Sequence, residues 1–234
     1  GAPVTSDQLR APLPQVVAGL AVVYVVWGST YLGIRIVVDE MPPLLAMGLR
    51  FLLSGALLAL LIGWRKGFRA LRVTRRQLRS LVLLGCLFIV AGNGGVAVAE
   101  QTVPSGLAAL MVAAMPLWVV LMRRFIGHEL PRSLTWFGVL VGLSGIALLA
   151  RPGTVSGVEP WGVFVTLGAT VCWATGTFLS AGRLELAPDP FVSTVYEMLT
   201  GGLVMFVVGT AIGDWGRFSF GELSDDTWWA FFYL

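Results

Sequence analysis

Residues 16–38 read VVAGLAVVYVVWGSTYLGIRIVV, and this run decides the fold class. A helix rises about 1.5 Å per residue, so about 20 apolar residues cross a bilayer core. The run supplies about 22 before Asp39 and Glu40 end it. It has no A-x-A exit and further runs follow, so it reads as a retained helix rather than a cleaved leader. Working outward, similar runs cover about 43–64, 80–99, 105–126, 133–150, 160–180 and 191–212, and an eighth starts at Trp228 and Trp229. Pro43, Pro160 and Pro190 open three of them, and Pro104 stands just before the fourth. A first-turn proline loses no hydrogen bond there. No run alternates with period two, which speaks against a β-barrel.

Composition agrees. Apolar residues make up 56% and charged residues 12%, whereas a soluble domain carries about a quarter charged. A lipid phase removes the need to hide all these runs in one core. The 29 glycines suit helices that approach closely in lipid. Cys86 and Cys172 lie inside apolar runs and His128 is the single histidine, so no disulfide framework, metal site or cofactor site is expected. Nor is there a P-loop, an HExxH or a nucleophile elbow, and an enzyme is not expected.

Orientation follows from Lys and Arg near the span ends. The second connection carries Arg65, Lys66, Arg69, Arg72, Arg75, Arg76 and Arg79, and the fourth carries Arg123, Arg124 and Arg132. The first and third carry acidic residues only. Even-numbered connections are therefore cytoplasmic, and so is the tail 1–15. The basic connection could also hold acidic lipid head groups. Topology alone accounts for it, and no nucleic-acid partner is expected.

A weak duplication runs through the chain. Trp27 lies over Trp173, Pro43 over Pro190, Arg50 over Glu197 and Gly55 over Gly202, at an offset of 146 or 147. The second Trp-bearing helix is the sixth, so each unit holds five helices. An odd number inverts the second unit, as in many transporters. The expected units are 16–151 and 158–234, with the second ending inside its eighth-helix segment.

Trp64, Trp136, Trp161, Trp215, Trp228 and Trp229 sit at run ends, where an aromatic belt belongs. Trp27, Trp118 and Trp173 lie deeper, roughly 17–20 Å into their helices. Either they line an aromatic cavity or they pack. Arg50 and Glu197 are each about 10 Å deep on opposite sides of the midplane. Two readings stand: a gate or proton-linked pair, or snorkelling of Arg50 with a local bond for Glu197. Asn93 and Glu100 share one face of the third helix. Asn93 needs a partner or cavity water, while Glu100 lies near the interface, where solvation is the simplest expectation. Pro116 should kink the fourth helix. Gly138 and Gly142 form a GxxxG, a close-packing signal.

WGSTYLGIR at 27–35, GLRF at 48–51, VPSGLAALMVAAMPLW at 103–118, GHEL at 127–130 and GVLVGLSGIALL at 138–149 resemble the EamA-type members of the drug/metabolite transporter superfamily. The resemblance implies an all-α integral membrane protein of ten helices in two inverted five-helix units. About seven and a half of those helices fall within this sequence. It further implies alternating access in the bacterial inner membrane, with export of amino acids, aromatic or hydrophobic ones first. Carried over by position, Trp27, Tyr31, Asn93, Met115, Trp118, Trp173 and Thr177 would line the path; Arg50, Glu100 and Glu197 are gate or coupling candidates on their own charge and placement. The partners expected are a small-molecule substrate and the bilayer, and a monomer suffices. Broad efflux of hydrophobic cations is the alternative, favoured if a carboxylate faces the cavity. A scaffold without transport is the third reading.

Overall fold

The computed structural model describes residues 13–149, 159–217 and 219–234. Most of the expected tail (1–12) and the link at 150–158 lie outside the described residues. Helices dominate, and no strand occurs among the described residues. They are α1 Leu13–Glu40, α2 Pro43–Lys66, α3 Arg75–Gly85, a π-helical segment Cys86–Gly94, α4 Gly95–Ala99, α5 Ser105–Val112, α6 Met115–Phe125, α7 Ser133–Leu149, α8 Pro160–Ser180, α9 Pro190–Ala211 and α10 Asp225–Tyr233. Joined end to end where the helix continues, they give six stretches long and apolar enough to cross a membrane: α1, α2, Arg75–Ala99, Ser105–Phe125, α8 and α9. The shorter α7 is also apolar. The expected all-α membrane architecture is therefore present.

Local chemistry explains the helix starts. Proline stands in the first turn of α2, α8 and α9, as expected. The third span starts at Arg75 rather than at 80, because a capping box initiates it earlier. Thr74 Oγ1 accepts from the Gln77 N–H at 3.2 Å, and the Thr74 N–H donates to Gln77 Oε1 at 2.8 Å. Arg75, Arg76 and Arg79 thus ride on a helix rather than in a loop. Asp189 caps α9 by accepting from the Phe191 N–H at 3.0 Å.

Two spans are irregular. The third widens to π geometry over Cys86–Gly94. In the fourth, α5 ends at Val112 and α6 begins at Met115, with Pro116 in its first turn. The expected kink is a break at Ala113 and Ala114.

Packing depends on glycine at close crossings. A Cβ on Gly48 would stand 2.7 Å from the Phe206 nitrogen, and one on Gly202 would stand 2.9 Å from the Leu52 nitrogen. Gly55 meets Leu199, and Gly209 meets Leu45, so α2 and α9 run antiparallel in backbone contact. The third span and α8 are antiparallel as well: Gly162 meets Ala99 and Val103, Gly95 meets Ala169, and Gly176 meets Phe88. Arg35, near the end of α1, reaches Glu100 at the end of the third span, so α1 runs parallel to that span and opposite to α8. The GxxxG divides: Gly142 packs on Leu117, whereas Gly138 has no described atom within 4 Å. Ile34, Val37, Met47, Phe51, Ile89 and Met205 form one buried cluster. Tyr31, Val96, Val103, Met111 and Ala169 form another. Leu57, Leu60, Leu140, Phe164 and Val207 face outward, a surface suited to lipid.

Candidate functional site

The break in the fourth span opens a cleft against α1. Its volume is about 540 Å³. Val23, Tyr24, Trp27, Gly28 and Tyr31 form the α1 wall, and Ala109, Val112, Ala113, Met115 and Pro116 form the other. Where α5 gives way to α6, the chain offset leaves small side chains at Ala109 and Ala113, and this makes room. Val112 and Tyr31 are buried at the back, while Trp27 is half exposed. The Trp27 Nε1 donates to the Tyr31 hydroxyl at 3.3 Å, one turn along the helix. That bond fixes both rings on the face turned to the cleft. The walls carry no charged side chain among the described residues, so the site is apolar and aromatic with a phenol at its inner end.

The cleft brings together Trp27, Tyr31 and Met115, three of the expected lining residues, with Pro116, expected only as a kink. Four other expected lining residues do not contribute to its described walls, because each is engaged elsewhere. Trp118 Nε1 donates to Thr170 Oγ1 at 3.1 Å across the α6–α8 contact. Trp173 packs its ring on Gly92, where a Cβ would stand 3.2 Å from the indole. Asn93 Nδ2 donates to the Phe88 carbonyl at 2.9 Å inside the π-helical segment. Thr177 donates to the Trp173 carbonyl at 2.9 Å.

The charged candidates are also separated. Arg50 Nε donates to the Leu234 carbonyl at 2.9 Å, and its guanidinium lies 4.7 Å from the Phe51 ring centre. Glu197 is half-buried on α9, and its backbone carbonyl abuts Gly85 of α3. No contact joins the two among the described residues. Glu100 departs furthest from expectation. Rather than being solvated at the interface, its side chain is fully buried. Lateral cover by α1 and α8 removes it from water, an effect that depth along its own helix does not reveal.

Arg35 is the residue that sequence reasoning passed over. It sits one turn beyond Tyr31, and its guanidinium donates to the Glu100 backbone carbonyl. The same group pairs with Asp39 at 3.3 Å. Trp27, Tyr31, Arg35 and Asp39 thus make a four-residue-spaced stripe from the cleft to the end of α1. That spacing was the available signal. Among the described residues no cluster of His, Cys, Asp or Glu could hold a metal ion.

Comparison with known proteins agrees with this architecture. The profile of the EamA-like transporter family matches residues 16–151. The uncharacterized inner membrane transporter YedA of Escherichia coli K12 is 38% identical over 200 residues, which cover 83% of this chain and 62% of that protein. A probable amino-acid metabolite efflux pump of Salmonella typhimurium LT2 is 26% identical over 179 residues, covering 74% of this chain and 56% of that protein. The uncharacterized transporter YoaV of Bacillus subtilis 168 is 25% identical over 135 residues, or 58% of this chain and 46% of that protein. The chain therefore spans less than two thirds of the length of these relatives.

Proposed function

The chain belongs to the EamA-like transporter family, and from that premise we propose that it is a secondary carrier exporting aromatic or hydrophobic amino acids across the bacterial inner membrane. The observation that carries the reading is the cleft between α1 and the broken fourth span. Apolar walls with Trp27 and Tyr31 suit a planar or branched side chain, since aromatic rings gain from edge and offset stacking. Its described walls hold no carboxylate, and this favours a zwitterion over a hydrophobic cation. The relative described as a probable amino-acid metabolite efflux pump supports the same solute class.

The two expected five-helix units, 16–151 and 158–234, fit this reading. α1 and α8 carry the repeat mates Trp27 and Trp173 and run in opposite directions. The mates α2 and α9 pack antiparallel through glycine, as a two-fold axis in the membrane plane would require. Such units rock around a shared chamber, and no reaction chemistry is needed. The cluster Arg65, Lys66, Arg69 and Arg72 supports a cytoplasmic location for that end of α2.

The test is uptake by proteoliposomes of a labelled amino-acid panel. Aromatic solutes should move, and Trp27→Ala should cut their flux at least about tenfold, the loss of one stacking anchor worth over about 1 kcal/mol. Flux of hydrophobic cations with none of amino acids would replace this reading by drug efflux.

A further inference from the structure

The Glu100 carboxyl is fully buried, and neither oxygen has a hydrogen-bond partner. It lies one residue past the span Arg75–Ala99, in the turn before Ser105. Ala99 and Val103 beside it are equally inaccessible. A carboxylate deprived of both water and donors is costly, and the usual response is to hold a proton. Burial pushes this carboxyl up to about 8, against a smaller opposing pull from Arg35.

Arg35 is adjacent yet does not neutralise the carboxyl. One guanidinium nitrogen serves the Glu100 backbone carbonyl, and another pairs with Asp39 at 3.3 Å. Tyr31, which lines the cleft, packs in the same buried cluster as Ala99 and Val103, the residues that flank Glu100. The proton site and the solute cleft thus border one packed cluster.

One further carboxyl stands near this turn: Glu159, ahead of α8, lines a recess with Arg35, Gln101 and Thr102. Cys172 is the single titratable residue of α8, and α5 has none. Arg50 of α2 is turned to Leu234 and Met47. Beyond Gln101, Asp39 and Glu40 rim a second recess with Asp214 and Arg217, and those last two pair at 3.3 Å.

We propose that Glu100 is the carrier's proton-binding site, with Arg35 as the counter-charge that turns from Asp39 to the Glu100 carboxylate when the proton leaves. The step balances: the carboxyl releases one proton to water, Arg35 stays protonated, and Asp39, more than half exposed, remains ionised in solvent. Because the cluster of Tyr31, Ala99 and Val103 separates this group from the cleft by packed side chains only, its protonation and solute passage are coupled as an exchange. The inference rests on the carrier reading and names its coupling ion.

The experiment compares wild type with Glu100→Gln, which keeps the shape of the protonated group. One-to-one exchange under a gradient of about one pH unit sustains about tenfold accumulation of a labelled aromatic amino acid. Wild type should reach that ratio. Glu100→Gln should still equilibrate the solute, with a ratio near one. Equal pH-driven accumulation by both proteins overturns the proposal. So does wild-type flux indifferent to pH, which leaves the carrier reading intact; absence of any wild-type flux removes the carrier reading instead. An infrared titration of the purified protein decides the proton site independently of flux. Measured in a Glu197→Gln background, which removes the other partly buried carboxyl of the helices, a protonated-carboxyl band should disappear between about pH 6 and about pH 10 and be missing once Glu100→Gln is added. The same band in both proteins overturns the assignment.

Discussion

Trp118 and Trp27 are both deep tryptophans, and their surroundings give them different work. The Trp118 indole donates to Thr170, whose own hydroxyl donates to the Leu167 carbonyl at 2.7 Å. Trp118→Phe therefore removes one hydrogen bond and leaves no buried donor stranded. It should cost about 1 kcal/mol, read as a lower unfolding temperature in detergent, with aromatic flux retained. Loss of flux without loss of stability would return Trp118 to the solute path. Glu100 has a pH signature of its own. Its carboxyl sits at about 8 in the folded protein against a usual 4.5. Across that window the native state holds a proton that the unfolded chain has released, so stability falls as pH rises and levels out above about 8. Glu100→Gln should remove this group's share of the decline, so that the unfolding temperature of the variant drops less than that of wild type over the same range.

Among the elements, glycines with similar sequence surroundings differ by what faces them. Gly202→Ala would push a Cβ to 2.9 Å from the Leu52 backbone nitrogen, and backbone cannot move aside as a side-chain tip can. A cost of about 1–3 kcal/mol is expected. Gly168→Ala, with no described atom within 4 Å, should be neutral or stabilising by up to about 1 kcal/mol. Thermal unfolding of the two variants checks the contrast. The difference also marks what the sequence makes legible. Apolar runs, first-turn prolines and Pro116 announce the spans and the broken fourth helix from local chemistry alone. The π geometry of Cys86–Gly94 has no such signal, because it accompanies neighbours packed from α8: Trp173 on Gly92 and Phe88 on Gly176. Burial of Glu100 is hidden for the same reason. Trp27 was readable as a candidate from its depth in the first run, whereas Tyr31 entered only through the family resemblance. Trp173 lies equally deep, and it packs on Gly92 instead of the cleft.

At the scale of the whole molecule, alternating access requires that contacts between the two units break at one end while others form at the opposite end. At the basic end, Lys66 Nζ meets Asp189 Oδ2 at 2.5 Å, Gln77 donates to the Leu186 carbonyl at 3.1 Å, and the Tyr196 hydroxyl donates to the Leu71 carbonyl at 2.8 Å. These contacts tie the two expected units together at this end. The Lys66 bond, then the Phe191 N–H, hold the Asp189 carboxyl below its ordinary range. Its contribution is full above the usual carboxylate value and is lost only as pH falls through the lowered one, so pH changes near neutrality leave this contact closed. A pH response of flux in that range therefore does not come from this ion pair. A direct check joins Lys66→Cys to Asp189→Cys with a short cleavable thiol linker, after Cys86 and Cys172 are replaced by Ser. If this end must open in each cycle, joining should stop flux and cleavage should restore it. Undiminished flux in the joined protein would mean that the two units do not part here, and the rocking motion would have to be sought along a different seam.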